Sequence, residues 1–453
     1  MNYPHKFFER GNNGTMNRFL LTACCLMVVA GGALSQKQSG ESVVDRFLRY
    51  VKFDTQSKDD VTSTPTSSLE FALAKQLVKE LKLLGLKDAA VDGHCFVFAT
   101  LPGNLPKSRL EKTPVIGLIS HMDTSPEVTD ADVHPLVHTN YQGADIILPD
   151  DTSQIISVSK NPHLKDYLGG SIITAAGGTL LGADDKAGIA EIMTMLQKLK
   201  ADPSIHHGTI KIAFTPDEET GSGIAKFDVK RFGARYAYTV DGDRAGQINE
   251  ESWSADQATV TFKGRSAHPG SAKGIMVNAM YAAADFLLQL PDSMKPESTE
   301  GRQGFLHPDH GTLGVEESTI KLILRDFDIS GLERQHAVLS AVRDSTLAHF
   351  PGVTIDLAFR KDYRNMKTVL DSVPFVTQYA LEACKRAGLT PEIVPIRGGT
   401  DGSDLTFMGL PCPNIFTGGE NFHSKLEWIP VQGMEKAVDV LLNLVQIWAE
   451  KSS

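Results

Sequence analysis

VIGLISHMD, residues 115–123, is the stretch on which the fold reading turns. Val115 to Ser120 form a short apolar run with no polar alternation, the pattern of a strand buried on both faces. It stops at His121-Met122-Asp123, two polar side chains able to bind or orient a cation. Working outward, IKIAFT (210–215), YAYTV (236–240) and NIFTG (414–418) repeat the same kind of run. Helical stretches separate them. After Asp185, for example, Ile189, Ile192, Met193, Leu196 and Leu199 recur at helical spacing. Short buried strands alternating with helices predict an α/β fold, a mostly parallel sheet covered on both faces. Upstream, Val43, Val44, Phe47, Leu48 and Val51 make one helical stripe, a Ser/Thr/Asp-rich loop spans 54–68, and a second amphipathic helix runs from Leu69 to Leu84, ending at Gly85.

Residues 254–364 follow a different logic. ATVTFKG (258–264) reads as a strand, 276–290 as a helix, STIKLILRDF (318–327) as a strand, Leu332–Phe350 as a helix and VTIDLAF (353–359) as a strand. With a weak strand near 311–315, the order is βαββαβ, a ferredoxin-like unit inserted into the first fold. The expected organisation is a leader over 1–40, a catalytic domain split into 41–253 and 365–453, and an inserted domain over 254–364.

The chain has 453 residues and a net charge of −10, which argues against a nucleic-acid binder. Five cysteines include no CxxC pair, so no zinc ribbon or thioredoxin-type site is encoded, and Cys95, Cys384 and Cys412 are expected to be buried and inert. Arg18, the apolar run 19–34 and the small residues around Ala33-Leu34-Ser35 resemble a secretory signal, with cleavage before Gln36 and export as the expectation. The run is too short and too interrupted by glycine for stable membrane insertion.

The chemistry-bearing residues fall at the ends of the strands. His121 and Asp123 close the first run, Glu218 and Glu219 follow IKIAFTPD, Asp241 follows YAYTV, and His423 lies just past NIFTGG. Asp184 and Asp185 sit in LLGADDKAG, at a turn that opens a helix. Any one of these has a bland explanation as a cap or a solvated turn. Together they load the C-terminal strand edge, where open α/β sheets build their sites. Imidazole nitrogen and carboxylate oxygen suit zinc. A pair of zincs about 3.5–4 Å apart needs a bridging carboxylate, and a further carboxylate must stay off the metals to move protons. Glu218 and Glu219 can divide these roles. Asp123 is placed to orient the His121 imidazole.

HMD (121–123), GADDKAG (182–188), FTPDEETG (214–221), TVDGD (239–243), GRSAHPG (264–270) and RGGTDGS (397–403) are similar, in one collinear order, to the motifs of the peptidase T family, tripeptide aminopeptidases of the di-zinc aminopeptidase/carboxypeptidase superfamily. The resemblance covers about residues 40–450. It implies that two Zn2+ ions are held by His121, Asp184, Asp241, Glu219 and His423, with Asp184 bridging and His423 on the metal that Glu219 binds. It implies Glu218 as general base, Asp123 as the residue orienting His121, and a cis peptide between Asp184 and Asp185. His268, on the inserted lid, would reach the site on closure and stabilise the oxyanion, and Arg397 would meet a substrate carboxylate. Family members are typically cytoplasmic, which is the alternative to export here, and a homodimer is compatible with the resemblance. The expected activity is release of the N-terminal residue of tripeptides. A dipeptidase, carboxypeptidase or N-acyl amino acid deacylase would share the same metal core, and a non-catalytic peptide binder would have no need of Glu218.

Overall fold

All six residues of the strand Ile116–His121 are buried, as an unbroken apolar run requires. The structure is a computed structural model and describes residues 40–59 and 61–451; the signal-like residues 16–35 lie outside the described residues. Ile116–His121 is parallel to Ile210–Thr215 on one side and to Tyr236–Gly242 on the other. Tyr236–Gly242 is in turn parallel to Asn414–Phe416. These four strands form the middle of an eight-stranded sheet and send their C-terminal ends to one edge. Val97–Leu101 and Ala90–Val91 extend it antiparallel on one flank. Gln247–Asn249 and Glu392–Ile393 complete the other.

Successive side chains of a strand face opposite ways, and the two faces feed separate cores. Leu118, Ile212 and Tyr238 join one with the helices Val43–Tyr50, Ala183–Ala201 and Val431–Lys451. Their neighbours Ile119, Ala213 and Ala237 join another with Phe227, Phe232 and Leu405. The helix Ala183–Ala201 approaches the sheet closely at its first turn. A Cβ on Gly188 would lie 2.0 Å from the Val240 carbonyl oxygen, so only glycine fits there.

The chain leaves this sheet at Ser254 and returns after Lys361. Between them, Phe305–Thr312, Glu317–Asp326, Ser254–Lys263 and Thr354–Lys361 lie side by side in that order, each antiparallel to its neighbour. The helices Ala279–Leu288 and Ile329–His349 cover one face over a core that includes Val260, Phe262, Phe286, Leu322 and Leu339. This is the βαββαβ unit read from the sequence. Its extra strand is Phe305–Thr312, not 311–315. Buried Phe305 and Leu306 start it, and Pro308, beside a register shift, disguises it on an edge where a missing N–H is tolerated. Where the chain crosses, Ala255 N donates to Tyr363 O at 2.9 Å and Met366 N to Ser252 Oγ at 3.2 Å.

Two small sheets escape a periodicity reading because their strands are two or three residues long: Leu136–His138 with Ile172–Thr174 and Trp428–Pro430, and Ile146–Ile147 with Ile155–Ile156. Cys95, Cys384 and Cys412 are buried and unpaired. Among the described residues no helix is long and apolar enough to cross a membrane.

Candidate active site

His121 is the last residue of its strand, and its Nε2 lies 2.9 Å from Asp184 Oδ1 and 3.4 Å from Asp241 Oδ1. Asp184 opens the helix Ala183–Ala201 in a non-helical conformation after Gly182, whose φ is +81°. The Asp184–Asp185 peptide is cis. Asp184 Oδ2 lies 3.3 Å from His423 Nε2, and the same nitrogen is 2.7 Å from Glu219 Oε2. Asp184 therefore turns one oxygen toward each of two histidine–carboxylate pairs. The ligand atoms of His121, Asp184 and Glu219 lie within 4.8 Å of one another, as do those of His121, Asp185 and Asp241.

Asp185 is within reach, but its oxygens are already engaged. They accept from Ser120 Oγ, from His121 N at 3.1 Å and from Gly188 N at 3.2 Å. Asp123 is fully buried. Its Oδ1 accepts from Glu218 N at 3.0 Å and its Oδ2 from Glu219 N at 3.1 Å, while His121 Nδ1 lies 3.3 Å from Oδ1 and 3.0 Å from the Asp123 carbonyl oxygen.

Burial raises the Glu219 carboxyl to about 8, with the Asp184 charge adding to it. Burial likewise raises Asp241, to about 6. Hydrogen bonds with Asp184 and Glu219 lift the His423 imidazole to about 11. Burial would lower the His121 imidazole, but the Asp241 charge and hydrogen bonds with Asp123, Asp184 and Asp241 hold it well above its usual value. The pocket thus crowds buried carboxyl groups whose ionised forms a cation would favour. Glu219 Oε1 is buried without a hydrogen-bond partner. Nitrogen and oxygen donors in two adjacent sets sharing one carboxylate fit a pair of divalent cations of zinc type.

Glu218 stands between two cavities. One, of about 390 Å³, is lined by Asp184, Glu218, Glu219, Asp241, Asp243, Arg397 and His423. The other, of about 560 Å³, is lined by Glu218, Glu219 and His423 together with Gln257, Arg325 and Arg360 from the inserted sheet. Arg397 thus faces the same space as the acid–histidine cluster. Its guanidinium lies 5.0 Å from the centre of the Trp253 ring, and its contacts with Thr299 O and Gly301 O are long, 3.4 Å each. His268 is not brought to the cluster. It is exposed on the inserted domain, accepts from Gly270 N at 3.2 Å and lines neither cavity.

Two carboxylates at the site have no role in the sequence reading. Glu427 accepts from Leu181 N and Gly182 N at 2.8 Å and from Asp184 N at 3.0 Å, fixing the turn that carries Asp184. Asp401 accepts from Thr215 Oγ1 at 2.7 Å, and burial pushes its carboxyl up to about 7. Asp401 lies within the RGGTDGS motif and is the first residue of the helix Asp401–Phe407; nothing in the sequence around Glu427 signals its task.

The chain belongs to peptidase family M20/M25/M40, which matches residues 174–447. Peptidase T from Clostridium novyi (strain NT) is 45% identical over 410 residues, covering 90% of this chain and 100% of that relative. Among solved structures, aminopeptidase PepT from Bacillus cereus ATCC 10987 superposes with a TM-score of 0.70 at 23% identity, over 90% of this chain and 98% of the other. A dinuclear metal-binding peptidase of the M20 family from Bacillus subtilis gives 0.59 at 15% identity, over 90% and 98%. The protein is a peptide-bond hydrolase, an aminopeptidase of the peptidase T group.

Proposed function

We propose that this enzyme removes the N-terminal residue of tripeptides, with one zinc ion held by His121, Asp184 and Asp241 and a second by Asp184, Glu219 and His423. The observation that carries the reading is the Asp184 carboxylate, whose two oxygens lie 2.9 and 3.3 Å from different imidazoles. Such ions, when bound, acidify a water molecule and polarise the scissile carbonyl. Glu218, close to the ligands but not among them, takes the proton of the attacking water and returns it to the leaving nitrogen. Asp123 keeps the Nδ1–H of His121 engaged, which leaves Nε2 free to ligate. Arg397 pairs with the substrate's C-terminal carboxylate across the same cavity.

The inserted domain, residues 254–364, serves as a lid over the catalytic halves 41–253 and 365–453. His268 reaches the developing oxyanion only if that lid moves, because in this conformation it is exposed. A panel of di-, tri- and tetrapeptides with free or blocked termini, assayed with added zinc, tests the whole reading. Fastest release of the first residue from free tripeptides supports it. Fastest cleavage of dipeptides or of N-acyl amino acids, or release of the last residue, replaces it with one of the related activities. No turnover at any zinc concentration leaves a peptide binder.

A further inference from the structure

We propose that Asp243 binds the α-ammonium group of the substrate, an inference that rests on the aminopeptidase reading above. An enzyme that acts at a free N-terminus gains from an anion close to the scissile carbon, because the ammonium nitrogen is only two bonds from that carbon. Five carboxylates line the 390 Å³ cavity: Asp184, Glu218, Glu219, Asp241 and Asp243. The first four are taken by cation binding and proton transfer. Asp243 is left over, and its chemistry matches the one substrate charge that remains unpaired.

Its position suits the task. Asp243 follows the ligand Asp241 by two residues, so their Cα atoms are separated by at most about 7 Å. The backbone is held on both sides: Asp243 O accepts from Gly418 N and Gly242 O from Thr417 N, each at 2.7 Å. This ties Asp243 to the segment that runs on to His423, so little order must be gained when substrate arrives. The side chain is exposed into the cavity, and no described residue pairs with it through a hydrogen bond or salt bridge. The neighbouring cation, Arg244, is committed elsewhere, with Nη2 3.0 Å from Glu392 Oε2 and Nη1 2.9 Å from His163 Nδ1. Asp243 also borders a smaller cavity of about 280 Å³ with Gln247 and Glu420, so an anchored first residue has space beside it.

The test compares trialanine with its des-amino analogue, propionyl-dialanine, in wild type and in Asp243→Asn, each loaded with zinc. A charged hydrogen bond in a partly shielded site is worth about 10- to 100-fold, so wild type should favour trialanine by at least about tenfold. In Asp243→Asn that preference should fall to near unity through a higher KM for trialanine, with the rate on the analogue unchanged, because a contact made in both ground and transition state is lost. Asp243→Glu, which keeps the charge, should retain part of the preference and guards against a variant that merely folds badly. If Asp243→Asn holds its zinc and keeps the wild-type preference, the assignment is overturned while the aminopeptidase reading stands. If wild type itself cuts both compounds equally, both are overturned.

Discussion

Replacing Asp123 by Asn tests whether the site is held by backbone hydrogen bonds to a buried carboxylate. The carboxylate takes Glu218 N on one oxygen at 3.0 Å and Glu219 N on the other at 3.1 Å, with His121 Nδ1 3.3 Å from the first. Asparagine keeps the shape but offers only one acceptor oxygen. Whichever way the amide turns, its NH2 group must face one of the two backbone N–H groups, donor against donor. The loss of one charge-assisted hydrogen bond in a fully buried position costs about 1.5–3 kcal/mol, or roughly 10- to 150-fold in an equilibrium or a rate. Because both tethered residues belong to the site, the loss should divide between weaker zinc binding, through Glu219 and His121, and slower turnover, through a displaced Glu218. Titrating free zinc while following tripeptide cleavage separates the two: excess zinc recovers the first part and leaves the second. An Asp123→Asn protein with wild-type zinc affinity, and kcat within about twofold of wild type, would refute the tether.

The remaining expectations concern the proton carrier, the bridge and the far end of the substrate. Glu218→Gln should retain two zinc ions per chain and lose about 10²–10⁴-fold in kcat; near wild-type turnover in the metal-loaded variant removes Glu218 from its role. Asp184→Asn should bind at most one zinc ion by elemental analysis, since one carboxylate serves both ligand sets, and a chelator should abolish wild-type activity in a zinc-reversible way; two tightly held ions in the variant would contradict the bridge. An amidated tripeptide should be cut about 10- to 100-fold less efficiently than the free acid, and Arg397→Ala should erase that difference; equal cleavage of both by wild type would show that Arg397 does not read the terminus.

Much of the site was legible because its side chains sit at strand ends, and strand ends are marked in the sequence by where the apolar runs stop. That locates His121, Glu218, Glu219 and Asp241 without reference to any distance. The adjacent pair Asp184-Asp185 was harder. Spacing cannot say which of two neighbouring carboxylates is free to face a cation, and Asp184 is assigned by resemblance; in the structure Ser120 Oγ, His121 N and Gly188 N engage Asp185, which supports that choice. The strand Phe305–Thr312 was displaced in the reading because proline and histidine interrupt its alternation. His268 and Arg397 differ in a way no motif could reveal: Arg397 faces the cavity in this conformation, whereas His268 does not.

The acid-rich composition of the site has two causes. Some carboxylates face the place where cations fit, and others hold the backbone of those that do. His121 N donates to Asp185 at 3.1 Å, Asp184 N to Glu427 at 3.0 Å, and Glu219 N to Asp123 at 3.1 Å. Each of these three candidate ligands therefore has its own amide bound by a buried carboxylate that is not assigned to a cation. Such bonds fix the backbone from which a ligand side chain projects, and ionised acceptors make them stronger than neutral ones. These carboxylates also crowd acidic groups around the pocket: burial raises the Asp185 carboxyl, and raises Glu427 to about 7, so a bound cation would favour their ionised forms. The same buried carboxylates that hold the candidate ligand loops in place would also add to the attraction of a cation into the pocket.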